Sequence, residues 1–315
     1  MSAPQPETTK PTWSWRAALW GLAVAGLLVA MYWSVGGYFA GRWVAREEYY
    51  HCLLVPVVMG WLISRRWSEL QALPRYPYAR GLWLLAGSVL FYALAARVDV
   101  RVAIGASFPL VLCGLALTIA GPHVLRLMGP IIALGFFLVP IPIHILLHVA
   151  DPLQKVCTFL SGVGSNLLGL QVAHQGVTLT LDGHPFQVAD SCSGLRSLLA
   201  LIFTCCVVIV FVRLPALRAA VALLLLLPIV IVANSLRLVL VMLCAKFGGA
   251  AFALGALMHG GSDAIIYLVA LGGVLLLVNA LSHGALLSAD DEDGGDQAGP
   301  SACSAGPTEC GLAAD

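Results

Sequence analysis

Charged side chains are what this sequence has least of. Asp, Glu, Lys and Arg make up 10% of its 315 residues, where an average soluble domain carries about 25%. The chain is 60% hydrophobic and its mean hydropathy is +0.91, which excludes a soluble globule. With a net charge of +1 and no basic tract, it offers nothing for nucleic acid to bind. The nine cysteines include no Cys-x-x-Cys pair of zinc spacing, and their scatter through apolar runs argues against a disulfide framework. No metal or organic cofactor is implied. His-Glu-x-x-His and Gly-x-Ser-x-Gly are both missing, which counts against a zinc protease and an elbow-type serine hydrolase.

What is present is a series of apolar runs near the roughly 20 residues that a spanning helix needs. They predict an all-α, polytopic transmembrane bundle of about eight spans, near 17–38, 49–63, 81–96, 102–120, 127–149, 194–212, 219–237 (with apolar sequence continuing to Leu243) and 258–280. Residues 1–16 read as a cytoplasmic tail, 17–282 as the membrane domain and 283–315 as a disordered acidic tail. The first run is too long for a cleaved signal and lacks an A-x-A site, so an uncleaved anchor is expected. Arg65, Arg66, Arg75 and Arg80, and later Arg213 and Arg218, mark cytoplasmic loops. Arg42, Arg46, Arg97 and Arg101 fall on the other side and break the charge rule. Pro140 and Pro142 predict a kink in the fifth span.

Residues 150–191 are the longest interruption between spans. Asp151 to Leu170 reads as a helix lying on the membrane surface. From Gly176 the period changes to two, with Val177, Leu179 and Leu181 alternating with Thr178, Thr180 and Asp182. Asp182-Gly183 is a turn dipeptide, so a small extracytoplasmic β-hairpin is expected over 176–188.

The hairpin delivers the chain to Ala189-Asp190-Ser191-Cys192-Ser193-Gly194-Leu195-Arg196, at the start of the sixth span. A cysteine there meets unpaired amides and the positive end of a helix dipole, which favour the thiolate. Cys113, Cys157, Cys205, Cys206 and Cys244 lie in apolar surroundings and read as inert packing.

The eight-span topology puts two more polar segments on the same membrane face as Cys192. One is Ala233-Asn234-Ser235-Leu236-Arg237 and the other is Met258-His259-Gly260-Gly261-Ser262-Asp263. An arginine in an apolar run costs a few kcal/mol to insert and needs a partner or a task. Snorkelling of Arg237 and an ordinary interfacial role for His259 are the plain alternatives. Taken together, a Cys, a His and an Arg suit thiol acyl transfer: attack on a carbonyl, proton shuttling and oxyanion stabilisation. Asp263, one turn after His259, is placed to orient it or raise its pKa. Arg196, one turn after Cys192, is a second cation for the thiol.

The order Cys-Ser-Gly-Leu-Arg-Ser-Leu, then Asn-Ser-Leu-Arg, then a histidine opening the last span resembles the exosortase/archaeosortase family. Tyr50-His51-Cys52-Leu53-Leu54-Val55-Pro56 is similar to that family's early His-Gly-x-Leu-Val-Pro stretch. Pro152-Leu153-Gln154 and the 176–181 run are also similar, and the likeness covers about 45–280. It implies a membrane-embedded cysteine protease or transpeptidase of the bacterial inner membrane, its active site facing the periplasm. Such enzymes cleave C-terminal sorting signals of exported proteins, such as a Pro-Glu-Pro motif followed by a hydrophobic helix and basic cluster. They form a thioester and pass the new carboxyl end to an envelope acceptor, lipid or glycan. Carried over, Cys192 is the nucleophile, Arg237 the oxyanion stabiliser and His259 the acid/base. Ser193, Arg196, Asn234 and Asp263 are supporting residues. Cys52 and Asp263 stand where the family commonly has glycine, and an aromatic expected beside the histidine is missing.

Two readings of other classes compete. A transporter would show ionisable residues at mid-span and an internal repeat, and neither is present. A non-catalytic scaffold of an exopolysaccharide or envelope system would tolerate loss of Cys192.

Overall fold

Lipid supplies no hydrogen-bond partners, so apolar runs of this length must pair their own amides and carbonyls, and helices do so locally. The structure, a computed structural model, describes residues 15–187, 195–249 and 256–282. It is mostly helical. In order, the helices are α1 (Trp15–Ala45), α2 (Tyr50–Arg65), α3 (Trp67–Ala72), α4 (Gly81–Arg97), α5 (Arg101–Ala120), α6 (Pro122–Ala133) and α7 (Ile143–Leu167). A three-stranded sheet follows, then α8 (Leu195–Val212), α9 (Ala216–Gly248) and α10 (Ala256–Leu281). Leu19–Ala45, Arg101–Ala120, Ala216–Gly248 and Ala264–Leu281 are long and apolar enough to cross a bilayer. Shorter apolar stretches cover Gly81–Arg97, Pro122–Leu138 and Ser197–Val212, so length and composition do not by themselves reach eight crossings. Large apolar side chains such as Trp20, Trp83, Leu224 and Leu276 point outward, as lipid-facing residues do. The protein is a multi-pass membrane protein.

The fifth expected span is not one kinked helix. α6 runs into a 3-10 turn at Leu134–Leu138, the helix stops at Val139–Pro142, and α7 begins afresh. Prolines 140 and 142 explain the stop, because each removes the amide that would have paired four residues back. The Phe136 carbonyl, deprived of residue 140, is taken by the Val139 amide. The Leu138 carbonyl, deprived of residue 142, accepts from Trp43 Nε1 at 3.0 Å. The Ile145 amide turns back to Pro142, and the Ile141 carbonyl accepts instead from the Tyr49 hydroxyl at 2.6 Å.

α7 is likewise more than a surface helix over 151–170. It starts at Ile143 and buries one face made of Leu146, Ala150, Leu153, Gln154, Cys157, Thr158, Ser161 and Ser165. The small residues let it come close to α9, where a Cβ at Gly164 would lie 3.1 Å from Val239 Cγ2. Close approach through small side chains is the usual packing of membrane helices.

The expected hairpin is two strands of a three-stranded antiparallel meander: β1 (Val172–Gln175), β2 (Thr178–Leu181) and β3 (His184–Gln187). Asp182 and Gly183 both have positive φ, +51° and +83°, as a two-residue type I′ turn requires. Gly176 and Val177 lie between β1 and β2, so Val177 sits in the first turn and not in a strand, and of the two only Gly176 has a positive φ. Leu179, Leu181, Val172 and Phe186 are buried and join the core of α7 to α10. Asn166 holds the sheet to α7, donating to the Val172 carbonyl at 2.9 Å and accepting from its amide at 2.8 Å. At the other edge, Lys246 Nζ donates to Asp182 at 2.7 Å, fastening the β2–β3 turn to the last helical turn of α9.

Tyr49→Phe deletes only the hydroxyl that satisfies Ile141, and Tyr49 is buried. Stranding that carbonyl should cost about 1–3 kcal/mol, read as a lowered thermal midpoint in detergent. Tyr50→Phe, on the exposed side, should leave the midpoint unchanged.

Candidate active site

α8, α9 and α10 are consecutive and joined by short connections, so α9 runs antiparallel to the other two. The start of α8, the last third of α9 and the start of α10 therefore lie toward one end of the bundle. The Lys246–Asp182 pair puts the sheet at that same end.

Within α9 the polar stretch is sorted by helical phase. Ala233, Asn234 and Arg237 follow Val230 at steps of three, four and seven, and all four are buried. They line a recess of about 10 Å³, room for about one water, together with Ser197 and Leu201 of α8 and Ile266, Tyr267 and Ala270 of α10. Leu236, between them in sequence, is exposed. Arg237 is 5% exposed, and neither it nor Asn234 is without a partner. A guanidinium held this deep is not a snorkelling side chain, so that alternative is set aside. Ser235 turns toward α7: its hydroxyl donates to the Ile231 carbonyl at 2.7 Å, and Cys157 Sγ donates to the same oxygen at 3.8 Å.

Of the residues singled out in the sequence, the recess brings together Asn234 and Arg237, between the helix that follows Cys192 and the helix that carries His259. Cys192 and Ser193 lie outside the described residues. Arg196 lies in the first turn of α8, and His259 and Asp263 lie in α10; the placement of their side chains is outside what is described. His259 and Asp263 are one turn apart on a helical backbone. His259 precedes Ile266 by two turns, about 10 Å along the axis.

A second recess, of about 210 Å³, lies against another face of α8. It is lined by Tyr49, His51, Phe136, Phe137, Leu199 and Ile202, among others. The His51 ring packs against Phe137 and Phe203 with centroids 6.4 and 6.0 Å away, and Cys52 is buried beside it. Sequence reading singled out the Tyr50–Pro56 stretch by resemblance and put it in the second span, but did not say what it packs against. Its partner, the 139–142 break with the 3-10 turn before it, carried a signal in Pro140 and Pro142 that reads as a kink until the carbonyl pairing is followed.

The six cysteines among the described residues are all free thiols. Cys157 and Cys205 have no exposed surface, which suits packing and not chemistry. No group of three or more His, Cys, Asp or Glu suited to a metal occurs among the described residues.

The fold thus defines a multi-pass helical membrane protein that buries Asn234 and Arg237 where α8, α9 and α10 meet. Its family follows from sequence comparison: residues 43–276 match the family described as transmembrane exosortase (Exosortase_EpsH), and the chain belongs to that family. No curated protein and no solved structure matches the chain.

Ala233→Leu would add three carbons to a recess with room for about one water, and overpacking of that kind costs about 1–3 kcal/mol. A lowered thermal midpoint is expected, while Leu236→Ala, on the exposed side of the same turn, should fall within about 0.5 kcal/mol of the parent.

Proposed function

We propose that the chain is a cysteine transpeptidase that cleaves a C-terminal sorting signal from exported proteins, with Cys192 as nucleophile, Arg237 as oxyanion stabiliser and His259 as acid/base. The observation that carries this reading is the burial of Arg237 and Asn234 between the start of α8 and the first half of α10. Cys192 precedes Leu195 by three residues, so the chain alone keeps their Cα atoms within about 11 Å. A carbonyl presented between the two helices would then face a thiolate on one side and a fixed guanidinium on the other.

The chemistry runs in two halves. The Cys192 thiolate adds to the scissile carbonyl, and Arg237 stabilises the resulting oxyanion by charge already in place. His259 gives a proton to the departing amine as the C–N bond breaks, leaving a thioester on Cys192. An acceptor amine, hydroxyl or water then attacks the thioester and gives its proton to His259, and the thiolate is released. Acceptor chemistry alone separates transfer from hydrolysis. Asp263 orients His259 or raises its pKa from one turn away.

The membrane arrangement belongs to the same proposal. The functional unit is 17–282, in eight crossings of the bacterial inner membrane, with the site facing the periplasm. A hydrophobic substrate helix docks laterally between spans, and the apolar recess around His51 and Leu199 receives side chains near the cleavage point. The sheet covers the motif.

The test is to co-express the protein with an exported reporter carrying a candidate C-terminal signal from the same genome and follow the reporter's mass. Cys192→Ala should abolish processing, and the mass of the new C-terminus tells transfer from hydrolysis. Processing that survives Cys192→Ala would end the proposal and favour a scaffold or transporter. Arg237→Gln should lower the rate by about 10²–10³, the usual loss for one oxyanion donor. Asp263→Asn should move the pH–rate limb set by His259 to lower pH, because a neighbouring carboxylate favours the imidazolium. An unchanged profile would remove Asp263 from the mechanism.

A further inference from the structure

At the other end of α8 from Cys192 lies a cleft of about 450 Å³ that the peptidase reading does not use. Its walls come from the ends of α2 and α8, from α3, and from one face of α6 between His123 and Pro130. Its ionisable lining is Arg66, Arg126, Arg213, His123 and Glu69. One carboxylate therefore serves three guanidiniums.

Each charge can be followed to its partner. Arg213 is paired with Glu69. Arg66, 7% exposed, donates to the Leu127 carbonyl at 3.3 Å and to the Val210 carbonyl. Those acceptors are neutral, so they orient its charge without cancelling it. Burial, and then the like charge of Arg213, hold the Arg66 guanidinium below its ordinary pKa, a penalty that a bound anion relieves. Arg126 is exposed and has no hydrogen-bond or ion-pair partner among the described residues. His123 Nδ1 lies 3.3 Å from the Tyr76 hydroxyl.

The remaining lining is aliphatic and has a direction. Leu127 and Pro130 continue along α6 away from His123, while Ile209 lies one turn into α8 from Arg213. The cleft is cationic at its mouth and greasy along its length. A soluble phosphate has no use for the second part. Basic pockets between membrane helices with apolar walls suit the headgroup and upper acyl chain of an anionic lipid.

We propose that this cleft binds the phosphate group of an anionic phospholipid, held by Arg126 and Arg213 over Arg66, with an acyl chain against the aliphatic wall between α6 and α8. The site stands apart from Cys192 and its test does not depend on catalysis.

The test uses the full chain, purified in detergent, stripped of lipid and examined by native mass spectrometry. Phosphatidylglycerol and phosphatidylcholine with the same acyl chains are added in turn. The wild type should retain phosphatidylglycerol at least about tenfold better, the scale of one charge-assisted contact. Arg126→Gln should remove most of that preference; the side chain is exposed and supports nothing else in the fold. Arg80→Gln, outside the cleft, should keep it, and Glu69→Gln, which frees Arg213, should strengthen it. Equal retention of the two lipids, or an undiminished preference in Arg126→Gln, would overturn the site. Inorganic phosphate is the third probe: if it displaces phosphatidylglycerol and raises the thermal midpoint as much, the ligand is a soluble phosphate and the lipid assignment falls.

Discussion

A polar backbone in an apolar medium must find its own partners, and the region around Val139–Pro142 shows how much of this fold follows from that rule. Two prolines end the pairing along one helix, and the freed carbonyls of Leu138 and Ile141 accept from Trp43 and Tyr49. Those two side chains belong to the end of α1 and the turn before α2. The break in one element thus fixes the position of two others. It also frees α7 to start on a new axis, against α9 and under the sheet, which is where the candidate site needs a rigid backing.

The same rule sorts the polar residues of the site by depth. α9 places Asn234 and Arg237 on one face and Ser235 on another, so four consecutive residues serve two helix contacts and one lipid-facing position. α7 answers Ser235 with Cys157, and the neighbouring Thr158 and Ser161 satisfy their hydroxyls on their own helix backbone. The arginine is carried by a helix that is packed on two sides. Its guanidinium gains a fixed position from that packing, which is what electrostatic stabilisation of a developing charge requires.

How much of this was legible in the sequence depends on the length scale of each signal. The helical membrane class followed from composition, and the Asp182-Gly183 turn followed from two residues whose φ preferences are local. The Asn-Ser-Leu-Arg motif was legible as a motif, but the burial of Asn234 and Arg237 was not, because it depends on α8 and α10 packing against that face. β1 was not legible, because Val172–Gln175 has one buried residue and three exposed ones and pairs only because β2 is beside it. The full break at 139–142 was missed because its stability lies in Trp43 and Tyr49, about ninety residues earlier. Arg66 was read as one of a loop cluster, and nothing local distinguished it from Arg65. Its partners sit on α6 and α8.

That last separation bears on biosynthesis. Arg66 and the Val210 carbonyl it binds are 144 residues apart. While the chain is being made, α2 is finished long before α8 exists, and until then its terminal guanidinium can reach the Leu127 carbonyl of α6 but not that of Val210. The bond that ties α2 to α8 cannot close until the helix following Cys192 has itself been inserted. The tie between α2 and α8 is therefore one that only the later half of the chain can complete.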